Sequence, residues 1–232
     1  MKQYIFNSWA RTILGSGLAV IFNSLLAFVI SRKKFLFKKQ LTLFFVLTMV
    51  LKPGLIPELA FYHDIGLLKT FHVYILPNVL NVMYMLMICT YMKSLPSEVE
   101  EAAVVDGASD FKLWIKIISP MCLPIYAVVL FLEATKQWNS WFDCMLYNRL
   151  ESENYVLTYE VIKLLNSVKT IASCTSGTYQ IVTPANVRSA LSVLTMIPLM
   201  IIYPLCQRYF LGSMNVINIK KTCLEDVGIG RK

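Results

Sequence analysis

Lys93-Ser94-Leu95-Pro96-Ser97-Glu98-Val99-Glu100-Glu101-Ala102-Ala103-Val104-Val105-Asp106-Gly107-Ala108-Ser109-Asp110-Phe111-Lys112 is a charged stretch set between two apolar runs. Ser97 followed by Glu100 has the spacing of a capping box, which predicts a helix beginning there. Gly107 suits the left-handed position that ends such a helix. Ser109 can cap a second helix that carries Asp110 in its first turn and runs to Pro120. The stretch therefore reads as a short helix, a glycine elbow and a second helix. Val99, Ala102, Ala103 and Asp106 fall at i, i+3, i+4 and i+7 and share a face, while Glu98 and Glu101 lie on a neighbouring one. A helix this short is not stable alone. Two readings follow: a knob with a small-residue face that docks into a partner's groove, or a solvated amphipathic connector.

Outward from the elbow the chain is apolar. Hydrophobic residues make up 56% of the 232 positions and charged residues 16%. An ordinary soluble domain carries about 45–50% apolar and about 25% charged residues. That excludes a disordered or collagen-like chain and a nucleic-acid-coating protein, and it argues against a soluble enzyme. Five segments read as membrane spans: 12–30, 41–57, 71–92, 121–135 and 189–206. A helix needs about 20 mainly apolar residues to cross the hydrocarbon layer. The first, third and fifth meet that without a single charge. The second, broken by Lys52-Pro53-Gly54, and the fourth, with Glu133 near its end, need neighbours. The fold class expected is all-α, a polytopic membrane bundle of about five helices.

The net charge of +8 is read by location, because cytoplasmic loops collect Lys and Arg. Residues 31–40 hold Arg32, Lys33, Lys34, Lys38 and Lys39, whereas 137–188 hold only Arg149, Lys163, Lys169 and Arg188. The first segment is thus cytoplasmic and the second external. Alternation then puts the 93–120 connection and the 211–232 tail inside and the N-terminus outside, with 1–210 as the membrane domain. In the external segment, Tyr155 to Leu165 reads as a surface helix and 166–187 as a loop.

Candidate chemistry is sparse. The six cysteines are never closer than 17 residues, so no metal-binding or disulfide spacing exists. His63 and His72 have no acidic or thiol cluster near them in sequence. No catalytic residue, metal site or cofactor is implied, and no phosphate-cradling G-x-x-x-x-G-K-[ST] loop is present. Asn78 and Asn81 either line a pathway or bond across helices. Glu133 and Lys136, three apart, either pair or reach outward, since a charge deep in a span costs roughly 2.5–3.5 kcal/mol on insertion scales. Trp138, Asn139 and Trp141 at the outer end of the fourth span either contact a solute or anchor the interface. Pro53, Pro57, Pro77, Pro198 and Pro204 kink spans, which suits a cavity or bundle packing alike.

Glu101-Ala102-Ala103, three residues, Gly107, nine residues and Ile117-Ile118-Ser119-Pro120 resemble the EAA loop of the permease subunits of ABC importers; only Ser119 replaces the family's leucine. Trp138-Asn139-Ser140-Trp141-Phe142, Pro53-Gly54-Leu55-Ile56-Pro57 and Tyr203-Pro204 are similar to blocks of the carbohydrate type, closest to the maltose-type second permease and its complex-oligosaccharide branch. The resemblance implies the type I permease core of a multi-pass protein of the bacterial cell membrane. It implies that Glu98, Glu101, Ala102, Ala103, Asp106, Gly107 and Phe111 seat a separate ATPase. The partners implied are a second permease in a heterodimer, a cytoplasmic ATPase dimer, an extracytoplasmic solute-binding protein and the lipid bilayer, with no nucleic acid. Because Asn7-Ser8 resembles the start of the family's second span, the first span is expected to be missing. The alternatives are an importer permease for another solute, such as an amino acid or peptide, and a truncated remnant that does not transport.

Overall fold

The computed structural model describes residues 2–32, 35–51, 53–148 and 152–174, together with positions 189, 193, 196, 200, 203 and 204. The tail 211–232 and the rest of the expected fifth span, 189–206, lie outside the described residues. Every regular element among the described residues is helical. The chain divides into two compact units. The first comprises Met1–Ala19, Leu51–Val79 and Leu132–Ile201, the second Val20–Val50, Leu80–Phe131 and Ile202–Lys232.

Helix α1, Lys2–Ser31, contributes to both units. It begins ten residues before the predicted 12–30 segment, so Arg11 lies inside the helix rather than ahead of it. It is the one described helix long and apolar enough to cross a membrane unaided. Ser8, Thr12, Ser16, Ala19, Asn23 and Ala27 recur along it at intervals of three or four and are all buried. Phe6, Ile13, Leu14, Ile21 and Phe22 are exposed instead. In lipid, apolar surface gains nothing by hiding, so helices pack on small and hydroxylic residues and leave bulky ones outside. The hydroxyls satisfy themselves locally: Thr12 donates to the Ser8 carbonyl at 2.8 Å and Ser16 to the Thr12 carbonyl at 2.6 Å.

The second and third expected spans are broken. In the second, α2, Lys38–Val50, stops before Pro53-Gly54 and α3, Leu55–Asp64, starts after it. Thirteen residues rise only about 20 Å, too short for a hydrocarbon core of about 30 Å. In the third, 3₁₀ turns at Phe71–Tyr74 and Leu76–Asn78 precede α4, Val82–Ser94. Pro77 supplies no backbone donor, and the Asn81 side chain accepts from the Met83 amide to start α4 afresh.

In the second unit, Met85, Ile88, Cys89 and Met92 form the buried stripe of α4 and pack with Ala27, Phe28 and Ile30 of α1. After the elbow helices α5, Ser97–Val105, and α6, Asp110–Leu113, the chain widens into a π-turn at Trp114–Ile118. There the Ser119 amide reaches back five residues to the Trp114 carbonyl. Pro120 has no N–H to continue the normal ladder, and a wider turn accommodates its ring. Helix α7, Ser119–Met121, then turns at Cys122 into α8, Leu123–Asn139, with an 80° bend.

The first unit also holds α9, Phe142–Tyr147, and α10, Leu157–Cys174. The predicted loop from residue 166 is helical as far as Cys174, because no glycine or proline interrupts the chain before Gly177. Val73, Tyr74, Cys144, Tyr155 and Val156 form one buried cluster, and Trp138, Leu157 and Val161 another.

Candidate functional site

The elbow is built as a closed Schellman turn. The Ala108 amide donates to the Ala103 carbonyl at 3.0 Å and the Gly107 amide to the Val104 carbonyl at 3.1 Å. Gly107 adopts φ +74°, a conformation that costs a residue with a Cβ about 1–2 kcal/mol. Ser109 caps α6 by accepting from the Lys112 amide. The predicted capping box at Ser97 does not form. Pro96 takes the cap position, so Ser97 is already the first helical residue, and no side chain caps α5.

Of the residues the sequence singled out here, Glu98, Glu101, Ala102, Asp106, Gly107 and Phe111 are all exposed. Ala103 is not: it is 4% exposed and packs into the core with α4. The predicted face therefore divides. Ala103 is the inner contact, and the outer face is Glu98, Glu101, Ala102 and Val105, at i, i+3, i+4 and i+7. Val105, 87% exposed, was missing from the predicted set although helical spacing from Glu98 reaches it.

The first unit holds a buried polar cluster centred on Arg11, which is 1% exposed. Its Nε donates to Gln137 Oε1 at 2.9 Å, Nη1 to the Ser140 carbonyl at 3.2 Å and Nη2 to Asp143 Oδ2 at 2.5 Å. The guanidinium also lies over the Tyr74 ring, 4.6 Å from its centre. Gln137 Nε2 donates to Glu133 Oε1 at 3.3 Å, and Lys136 Nζ donates to Asn78 Oδ1 at 2.9 Å and approaches Glu133 Oε1 at 3.5 Å. Glu133 is fully buried, and its Oε2 has no hydrogen-bond partner among the described residues. Arg11, Glu58, Asn78, Lys136, Asp143 and Tyr147 line an adjoining cavity of about 160 Å³. Burial, then the Glu58 and Asp143 carboxylates, push the Tyr147 hydroxyl up to about 12, so it faces the cavity as a neutral phenol.

The structure thus brings Asn78 and Glu133 together and scatters the other expected pathway residues. Asn81 caps α4, and its backbone amide donates to Asn23. Trp138 is 3% exposed, packs with Leu157 and Val161 and meets Trp9 edge-on, so its indole offers no accessible face. Asn139 is exposed, and Trp141 is half-buried edge-on against Phe142. Arg11, Gln137 and Asp143 went unnoticed in the sequence because the helix was expected to start after Arg11. Its partners also lie 126 to 132 residues away.

No family model matches the chain. It is 26% identical over 205 residues to the polygalacturonan/rhamnogalacturonan transport system permease protein YtcP of Bacillus subtilis, covering 86% of this chain and 70% of that one. It is 26% identical over 219 residues to the diacetylchitobiose uptake system permease protein NgcG of Streptomyces coelicolor, covering 92% and 68%. Among solved structures it resembles a chain of a bacterial ABC transporter involved in the import of the acidic polysaccharide alginate. That match has a TM-score of 0.77 and 25% identity, over 90% of this chain and 74% of the other.

Proposed function

Since its relatives are permease subunits of carbohydrate ABC importers and its fold is that of such a permease in the bacterial plasma membrane, we propose that this chain lines a sugar pathway driven by a separate ATPase seated on its elbow. The observation that carries the reading is the outer face of the elbow. Glu98, Glu101, Ala102, Val105 and Phe111 stand exposed together around a glycine turn that only a left-handed residue closes. Acidic rims with small and apolar centres suit a groove with basic edges. ATP-driven closure of the partner would displace the elbow, biasing a two-state bundle as coupling requires.

The elbow and the basic segment that follows α1 belong on the cytoplasmic side, and the segment 137–188 on the external side. Contact between Arg32 and the elbow supports putting those two together. So does contact between Asn7 of α1 and the Glu153 and Tyr155 carbonyls for the outer end. The full importer would add a second permease, an ATPase dimer and an extracytoplasmic binding protein. Asn78 and Lys136, on the cavity beside Arg11, are the groups through which a solute would be met. Arg11 and Lys136 are balanced there by Glu58 and Asp143, a polar lining without surplus charge that suits hydroxyl groups.

Co-assembly of the chain with its second permease and ATPase tests the reading. Gly107→Val and Glu101→Lys are expected to lower uptake about tenfold or more while ATP hydrolysis continues. Unchanged uptake in both variants refutes the ATPase seat.

A further inference from the structure

Arg32, the residue after α1, has a side chain 14% exposed and holds two carboxylates at once. Its Nη1 pairs with Glu100 of α5, and its Nη2 donates to Asp110 of α6 at 2.8 Å. The two carboxylates stand on opposite sides of Gly107, one on each limb of the elbow. The guanidinium also lies over the Phe28 ring in the last turn of α1, 4.6 Å from its centre. We infer that Arg32 is a positioning strut: it fixes the angle between the limbs of the elbow and carries their displacement into α1. This rests on the elbow being the ATPase seat.

The strut works by geometry more than by energy. Asp110 is 85% exposed, and an ion pair so open to solvent adds little stability. A planar guanidinium, however, aims separate N–H donors at two acceptors, which a lysine ammonium does not reproduce. Beside the strut is a cavity of about 300 Å³ lined by Phe28, Val29, Phe35 and Val104 as well as the three charged residues. The cavity lies between Val104 of α5 and Phe28 and Val29 of α1, while Ala103 and Leu113 join Phe28 and Ile30 in the buried cluster. On the cavity side, a push on α5 meets the charged tether.

Amide hydrogen exchange on the full chain in nanodiscs tests the tether, and uptake per ATP hydrolysed in the assembled importer tests its consequence. In Arg32→Gln, exchange across α5 is expected to quicken about fivefold while α4 keeps its rates. Uptake per ATP is expected to fall about fivefold with the ATPase still bound. Arg32→Lys should follow Arg32→Gln. Glu100→Gln combined with Asp110→Asn removes the tether without touching α1 and should give the same pair of results. Unchanged α5 exchange in Arg32→Gln, or wild-type exchange in Arg32→Lys, overturns the strut. Exchange needs no ATPase, so it judges the tether even if none binds the elbow. Wild-type coupling in Arg32→Gln beside lost coupling in Gly107→Val removes the strut's role and leaves the ATPase seat standing.

Discussion

Arg11 is a full charge with almost no access to solvent, and its position holds because each guanidinium nitrogen has a partner. Gln137, the Ser140 carbonyl and Asp143 take its donors, and Tyr74 takes its flat side. Removing one partner of such a pair strands the other charge, at a cost of about 3–5 kcal/mol, whereas replacing both is often close to neutral. Asp143→Asn is therefore expected to lower the thermal unfolding midpoint of the detergent-solubilised chain sharply. Arg11→Leu combined with Asp143→Asn should recover more than half of that loss. A double variant no better than the single one would show that the guanidinium stabilises by packing instead. Gly15 belongs to the same arrangement. A Cβ there would meet Gln137 at 3.1 Å, so the helix approaches closely at the position where Arg11's partner must lie.

At the scale of elements, α5 shows how one helix divides its residues between two tasks. Ala102 and Ala103 are neighbours in sequence and identical in chemistry, yet one is exposed and the other buried. Ala103→Leu should cost about 1–3 kcal/mol by overpacking against the stripe of α4, read as a fall in the unfolding midpoint. Ala102→Leu should leave stability within about 0.5 kcal/mol and instead weaken capture of the ATPase in a pull-down. Equal destabilisation by both would place Ala102 in the core. The Gly107 turn was legible in the sequence, because glycine takes the left-handed position that ends a short helix without a Cβ penalty. The failed capping box was not. Pro96, whose ring fixes its φ, let the helix start one residue earlier than Ser97 requires.

For the whole molecule, apolar composition and the distribution of Lys and Arg predict a membrane bundle with the elbow inside. Topology labelling checks it. A cysteine introduced at Val105 should react with an impermeant maleimide only in inverted vesicles, and one at Glu153 only in intact cells. The opposite pattern would reverse the proposed orientation. The first expected span was legible as a helix, the second and third only as apolar runs. Proline and asparagine break the second and third within the run, and periodicity cannot show where a neighbour satisfies the freed backbone groups.

The sequence by itself determined the membrane class and the elbow with its glycine, since these depend on composition and on spacings along a single short helix. Only the tertiary structure decided that Trp138 is buried, that Ala103 faces inward, and that Arg11 and Arg32 are the charged centres. Those outcomes depend on side chains tens to more than a hundred residues apart, and a desolvated charge has no local signature that marks where its partner will come from.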